Sequence, residues 1–221
     1  MTGPAGVLAL QRSIGNRAVA RLAQDRPGGR GAGPRVLARY AHQDCAEADL
    51  KAHIWPGDYL ARQMVKKARK ALSKSPIEAP VAALFPKYFM TSTPDIPKIL
   101  RIFDKVEVEF ADNDYTYECE EDCAGSELGE TYAGTIGALT QAHIHVCMNH
   151  LRGKANECIA RTIVHEFTHR YADTDDNGYC KSGCGYSTCP TTLTPDKALE
   201  NADSFACFAF ELWPIALLSY P

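Results

Sequence analysis

Residues 165–169 read His-Glu-Phe-Thr-His, two imidazoles four positions apart with a carboxylate beside the first. On a helix, side chains four apart stack on one face. His165 and His169 can then reach the same tetrahedral zinc, and Glu166 can hold a water on that metal as general base. The spacing is the H-E-x-x-H pattern of metal-assisted hydrolysis. Its flanks read as a helix over 155–171. Ile159, Ile163 and Phe167 recur every four residues as an apolar stripe, and the histidines fall roughly 200° round from it at 100° per residue. One face is expected to pack and the other to carry ligands.

Zinc bound catalytically takes three protein ligands and leaves a position open. No third His follows at metzincin spacing, so the candidates are Asp173, Asp175, Asp176, Glu200 and Asp203. Residues 173–180, Asp-Thr-Asp-Asp-Asn-Gly-Tyr-Cys, resemble the G-T-x-D-x-x-Y-G element of the aspzincins, the deuterolysin and peptidyl-Lys metalloendopeptidase family. Asp173 and Cys180 stand where that element has glycines. The resemblance implies Asp176 as third ligand, with Asp175 and Glu200 as rivals. It also implies Tyr179 as a donor to the oxyanion of the tetrahedral intermediate. Asn201-Ala202-Asp203-Ser204 matches the family's N-A-D element. In the Lys-specific branch, that Asp belongs to an acidic pocket for a substrate Lys. The second acid expected three residues on is Ala206 here. The other reading of Asp203 is an acceptor that orients a zinc-bound His. The resemblance covers about residues 40–213 and implies disulfides Cys45–Cys119 and Cys123–Cys147. Cys180, Cys184 and Cys189 are expected to clamp the loop after the zinc helix rather than build a second zinc site. His143 and His145 share one face of a predicted strand, 142–148. That strand is also the candidate for pairing with an extended substrate.

The elements that must position these groups are read from periodicity. Residues 44–72 are helical, with Pro56-Gly57 expected to split them. Two Pro-punctuated helical stretches follow. Val-Glu-Val-Glu-Phe, 106–110, alternates and predicts a strand, as do 132–136 and 142–148. Residues 172–197 read as a Gly-, Cys- and Pro-rich loop, and 198–213 as a closing apolar helix. The fold class expected is α+β, a zincin-like domain, mostly helical with a small mixed sheet.

The chain of 221 residues carries a net charge of −3, which argues against a general nucleic-acid binder. No apolar run is long enough for a spanning helix. Seven Arg against Asp25 give residues 1–40 a charge of +6, leaving −9 on the remainder. That sign favours a cationic substrate at long range. Residues 7–23 fit a short amphipathic helix, and 25–34 a flexible Gly/Pro linker. Three segments are therefore expected: 1–24, a linker 25–35 and a body 36–221. Nine Cys point to an oxidising destination, and the odd number leaves at least one free thiol or one intermolecular bond. Yet the first residues lack the continuous apolar stretch of a Sec signal. Leu-Gln-Arg-Ser-Ile-Gly-Asn-Arg-Ala-Val-Ala-Arg-Leu, 10–22, resembles the loading segment of cargo carried by extracellular contractile injection systems of bacteria. That resemblance implies delivery by a non-Sec route.

The expectation is a monomeric zinc endopeptidase with a preference for Lys, a secreted bacterial effector or toxin acting on protein or peptide. The catalytic residues would be Glu166 and Tyr179, the zinc ligands His165, His169 and Asp176, and the substrate-binding residue Asp203. Two alternatives stand beside it: a non-peptidase zinc hydrolase such as an amidase, and an idle domain that keeps zinc for stability.

Overall fold

The computed structural model describes residues 41–113, 115–121, 129–130, 142–180 and 189–218. The predicted helix 7–23, the linker and the predicted strand 132–136 lie outside them. A short strand β1 (Ala41–Gln43) leads into a helical turn α1 (Glu47–Asp49). There follow α2 (Trp55–Leu72), the short α3 (Ala79–Ala82) and α4 (Phe85–Tyr88), and α5 (Ile96–Asp112). Strands β2 (Tyr115–Glu120), β3 (Gly129–Glu130) and β4 (Ala142–Cys147) come next, then α6 (Met148–Leu151), α7 (Asn156–Ala172), α8 (Pro195–Ala198) and α9 (Ala202–Leu218). The architecture is α+β and mostly helical, as expected. Among the described residues, no helix is long and apolar enough to cross a membrane.

Three readings need correction. Pro56-Gly57 does not split the first helical stretch. Residues Leu50–Ile54 form a wide π-turn closed by a bond from Trp55 N–H to Leu50 O. Pro56 then sits in the first turn of α2, directly after the π-turn, and its fixed φ suits the helix that continues through it. Residues 106–110 are helix, not strand. Ile99, Ile102, Phe103, Val106 and Phe110 are all buried at helical spacing, whereas Val108 is 53% exposed. The alternation is a five-residue accident inside a seventeen-residue amphipathic helix. Asp95 caps that helix by accepting from Lys98 N–H at 2.9 Å. The closing helix begins at Ala202 rather than 198, because α8 takes up Ala198 and Asn201 makes a bridge to Asp175.

The sheet has the order β1-β2-β4-β3, with the first three strands parallel and β3 antiparallel to β4. The strand predicted at 142–148 is present as β4, but it lies inside the sheet. β3 pairs across His145 and Val146, so this part of β4 is not an open edge for substrate. His145 faces two carboxylates. Its Nδ1 lies 2.6 Å from Glu120 Oε1 and its Nε2 3.5 Å from Glu118 Oε2. Cys45 and Cys119 form the implied disulfide, tying the approach of α1 to β2. Cys147 and Cys158 are also disulfide-bonded. Cys123 lies outside the described residues.

Helix α7 is central, with α2, α5 and α9 packed on it. The predicted stripe of Ile159, Ile163 and Phe167 is buried, but so are Ala160, Val164 and Thr168. The helix is therefore enclosed on most sides, and its more open stripe, Glu157, Arg161, His165 and His169, runs opposite the predicted apolar one. Phe167 stacks on Phe110 at 3.9 Å between ring centroids and meets Tyr115 edge-on at 4.8 Å. A second aromatic group, Phe89, Phe103, Phe205 and Phe208, joins α5 to α9. Behind α7, buried Asp58 accepts from Tyr115 Oη at 2.6 Å, Tyr117 Oη at 2.9 Å and Arg62 Nε at 2.6 Å. Burial raises its carboxyl pKa against the pull of Arg62 and the two phenols. The network fastens α2 to β2, and removing one partner would strand a buried charge.

Gly57 lets α2 pack closely on α7. A Cβ there would stand 2.5 Å from Ile159 Cγ2 and 3.1 Å from Ile159 Cβ. Ile is branched at that carbon and cannot swing aside cheaply. Gly57→Val is expected to overpack the joint and cost about 2 kcal/mol, lowering Tm by roughly 4–8 °C. A thermal melt with an unchanged midpoint would show that the helices separate freely.

Candidate metal centre

The last two turns of α7 carry His165 and His169, and the chain leaves the helix through Asp173 in a left-handed conformation. That reversal returns residues 174–180 past the same helix end. His165 Nε2 and His169 Nε2 are 3.0 Å apart. Asp176 Oδ1 lies 3.1 Å from His169 Nε2 and 3.3 Å from His165 Nε2. Ligand atoms at zinc distances in a tetrahedron stand about 3.3 Å from one another, so the three donors have the spacing of three corners around one ion. Two imidazole nitrogens and a carboxylate oxygen are also a donor set suited to zinc.

The outer nitrogens of both rings are held. His165 Nδ1 is 2.9 Å from Asp203 Oδ1, and His169 Nδ1 is 2.7 Å from the carbonyl of Thr174. Each partner can accept the Nδ1 proton, so that a bound ion would meet the lone pair of Nε2. Thr174 is itself placed by a bond from its hydroxyl to Thr168 Oγ1 at 3.0 Å, and Thr168 Oγ1 donates to His165 O at 2.8 Å. Asp203 Oδ2 accepts from Cys180 N–H at 2.8 Å.

Of the sequence candidates for third ligand, Asp176 alone joins the cluster. Asp175 is exposed, and its backbone pairs with Glu200 O and Ala202 N–H. Asp173 lies 3.9 Å from Lys105 Nζ, and Glu200 3.0 Å from Lys98 Nζ. Glu166 is buried on α7 beside His165. Tyr179, 55% exposed, donates to Asp176 Oδ2 at 3.0 Å, and its ring lies parallel to His165 at 6.5 Å. Sequence reasoning missed the acceptor role of the Thr174 carbonyl and the full burial of Asn201. The first leaves no side-chain signal. The second stood in the same quartet as Asp203 and carried a usable one.

The expected clamp on the loop is a Cys180–Cys189 disulfide. It occupies sulfurs that a second zinc site would need, although Cys180, Asp203 and Cys207 lie close together. Among the described residues, Cys207 is the free thiol, buried and pushed up to about 12 by that burial.

Without metal, the cluster holds protons instead. Burial works against a charged His165, but hydrogen bonds to Asp176 and Asp203 outweigh it and push the imidazole up to about 10. Burial likewise opposes charge on Asp176, yet its bonds to both histidines hold its carboxyl well below the usual range. At neutral pH the metal-free centre is therefore protonated on His165, and an ion must displace that proton. Calorimetry of zinc binding at pH 7 in two buffers of different ionisation enthalpy should report about one proton or more released per ion. Release near zero would mean that the rings are already neutral.

A family model described as lysine-specific metallo-endopeptidase, that of the aspzincins, matches residues 78–210. Probable neutral protease 2 homologs of Trichophyton rubrum (homolog B) and Arthroderma benhamiae are each 35% identical over 103 residues, covering 42% of this chain and 26% of their own. The chain thus spans about a quarter of the length of these curated relatives. A zinc peptidase from Grifola frondosa superimposes with a TM-score of 0.58 at 19% identity, over 76% of this chain and 98% of its own. At that identity the likeness is one of fold. The family match runs from just ahead of α3 into α9 and takes in every donor described above, so the chain belongs to the aspzincin family, whose metal is zinc.

Proposed function

We propose that this chain is a zinc-dependent endopeptidase in which His165, His169 and Asp176 hold the metal. The observation that carries the reading is the convergence of their three donor atoms to within 3.0–3.3 Å, with the carboxylate of Glu166 on the adjoining residue. Bound there, zinc would polarise the scissile carbonyl and make a water more acidic. Glu166 takes the proton of the attacking water and passes it to the leaving amine. Its burial suits that task, since a carboxylate shielded from solvent is a stronger base. Tyr179 stands at the exposed rim with its hydroxyl on Asp176, and by turning that donor toward substrate it would stabilise the oxyanion. Glu166 also weighs against an idle, zinc-stabilised domain, which has no use for a base.

Asp203 reads as a positioning residue. Both its oxygens are engaged, one by His165 and one by the Cys180 amide, so a substrate ammonium would compete with the bond that orients a ligand. A preference for Lys remains part of the proposal. It is supported by the family's description and by the acidic charge of the chain beyond residue 40, not by Asp203 or by Ala206. The disulfides support an oxidising, extracytoplasmic destination. Residues 7–23, outside the described part of the chain, are proposed to load a bacterial effector into a contractile injection system. Their resemblance to such cargo supports this. Removing residues 1–24 should spare peptide hydrolysis and abolish packaging; lost hydrolysis would make the segment part of the catalytic fold.

The decisive experiment maps cut sites in a denatured protein mixture by mass spectrometry. The wild-type chain should give internal cuts enriched at Lys. Glu166→Gln should keep zinc and lose at least about a hundredfold in rate, and Asp176→Ala should lose zinc where Asp175→Ala does not. Full cleavage by Glu166→Gln would remove the base, and cleavage of side-chain or cell-wall amides alone would favour the amidase reading.

A further inference from the structure

Asn201 sits between α8 and α9 and is fully buried. At its backbone, the chain pairs with the segment that carries Asp176. Asp175 N–H donates to Glu200 O at 2.7 Å, and Ala202 N–H donates to Asp175 O at 3.0 Å. Its side chain then reaches further along the same segment. Gly178 N–H donates to Asn201 Oδ1 at 3.0 Å, and Asn201 Nδ2 donates to Gly178 O at 2.9 Å. The amide also donates to Ser204 Oγ at 3.0 Å. A side-chain amide that accepts from one residue's N–H and donates to the same residue's C=O reproduces the bond pair of a neighbouring strand.

The segment is thus fixed at Asp175 by main chain and at Gly178 by Asn201. Asp176 lies between the two fixed points, and Tyr179 follows the second directly. We propose that Asn201 is the positioning residue of the candidate centre: by clamping Gly178 it sets where the Asp176 carboxylate and the Tyr179 hydroxyl stand relative to the two imidazoles. The inference rests on the zinc reading above and extends it to a residue that touches neither metal nor substrate. An amide suits this place. Glu166, Asp176 and Asp203 already crowd carboxylates around the histidines, and a neutral group holds the loop without adding another. It also supplies a donor and an acceptor together, which neither an aspartate nor an alanine would do.

The test compares zinc affinity, by competition with a chromophoric chelator, for wild type, Asn201→Ala and Ser204→Ala, all well below their melting temperatures. Asn201→Ala should bind zinc 10- to 100-fold more weakly, and its cobalt(II)-loaded form should show an altered visible spectrum because the carboxylate is misplaced. Ser204→Ala, which leaves the Gly178 pair intact, should stay within about threefold of wild type. A merely structural amide would lower Tm and leave the affinity of the folded protein unchanged, and that result would overturn the proposal. An equal loss in Ser204→Ala would overturn it too, by tracing the effect to general loosening of α9. Should Asn201→Ala fail to fold, amide exchange in the metal-free wild type decides. Gly178 N–H should exchange at least tenfold more slowly than in an unstructured chain, and exchange at the unstructured rate would overturn the clamp. A wild-type chain that takes up no zinc would instead remove the reading beneath it, and the exchange measurement would still judge the clamp by itself.

Discussion

Two imidazoles one helical turn apart share an ion only if neither ring can rotate. In this chain each ring is pinned through the nitrogen that faces away from the metal position, His165 by Asp203 and His169 by the Thr174 carbonyl. Two other features of the fold serve these bonds. Asp203 comes from the first turn of α9, so α9 must stay packed on α7. Thr174 comes from the reversal at Asp173, so the helix must end where it does. A ring that loses its partner regains a torsion, which would turn Nε2 from the proposed metal position, and a second tautomer, which would put a proton there.

Rigidity at α7 is supplied from the side opposite the chemistry. Ile159 meets Gly57, Phe167 meets Phe110 and Tyr115, and the Asp58 network ties α2 to β2 behind them. Such a helix packs on most of its sides, and the two histidines lie on its more open stripe with Glu157 and Arg161. A buried helix with charged groups at one end needs each charge partnered, and Asp203 and Asp176 do this for His165.

The local parts of this arrangement were legible in the sequence. The H-E-x-x-H spacing fixes a shared helical face by geometry alone, and Asp176 was reachable through the resemblance of residues 173–180 to the aspzincin element. The class of fold and the Cys45–Cys119 bridge were also anticipated. What was not legible depends on partners distant in the chain. Val106, Val108 and Phe110 alternate like a strand, and only the longer run from Ile96 shows which periodicity prevails. The π-turn before Pro56 has no residue signature. The Asp58 network joins residues more than fifty positions apart. Asp203 had two readings, and the sequence could not say that each of its oxygens already has a donor.

The Cys180–Cys189 bond has a consequence for how such a domain could diversify. Its two sulfurs close residues 181–188 into a ring whose ends are covalently fixed, immediately after Tyr179. Because closure entropy grows only slowly with length, the contents of that ring can be enlarged or exchanged while its anchorage stays put. The covalent anchorage therefore separates changes within that stretch from the positions of Asp176 and Tyr179.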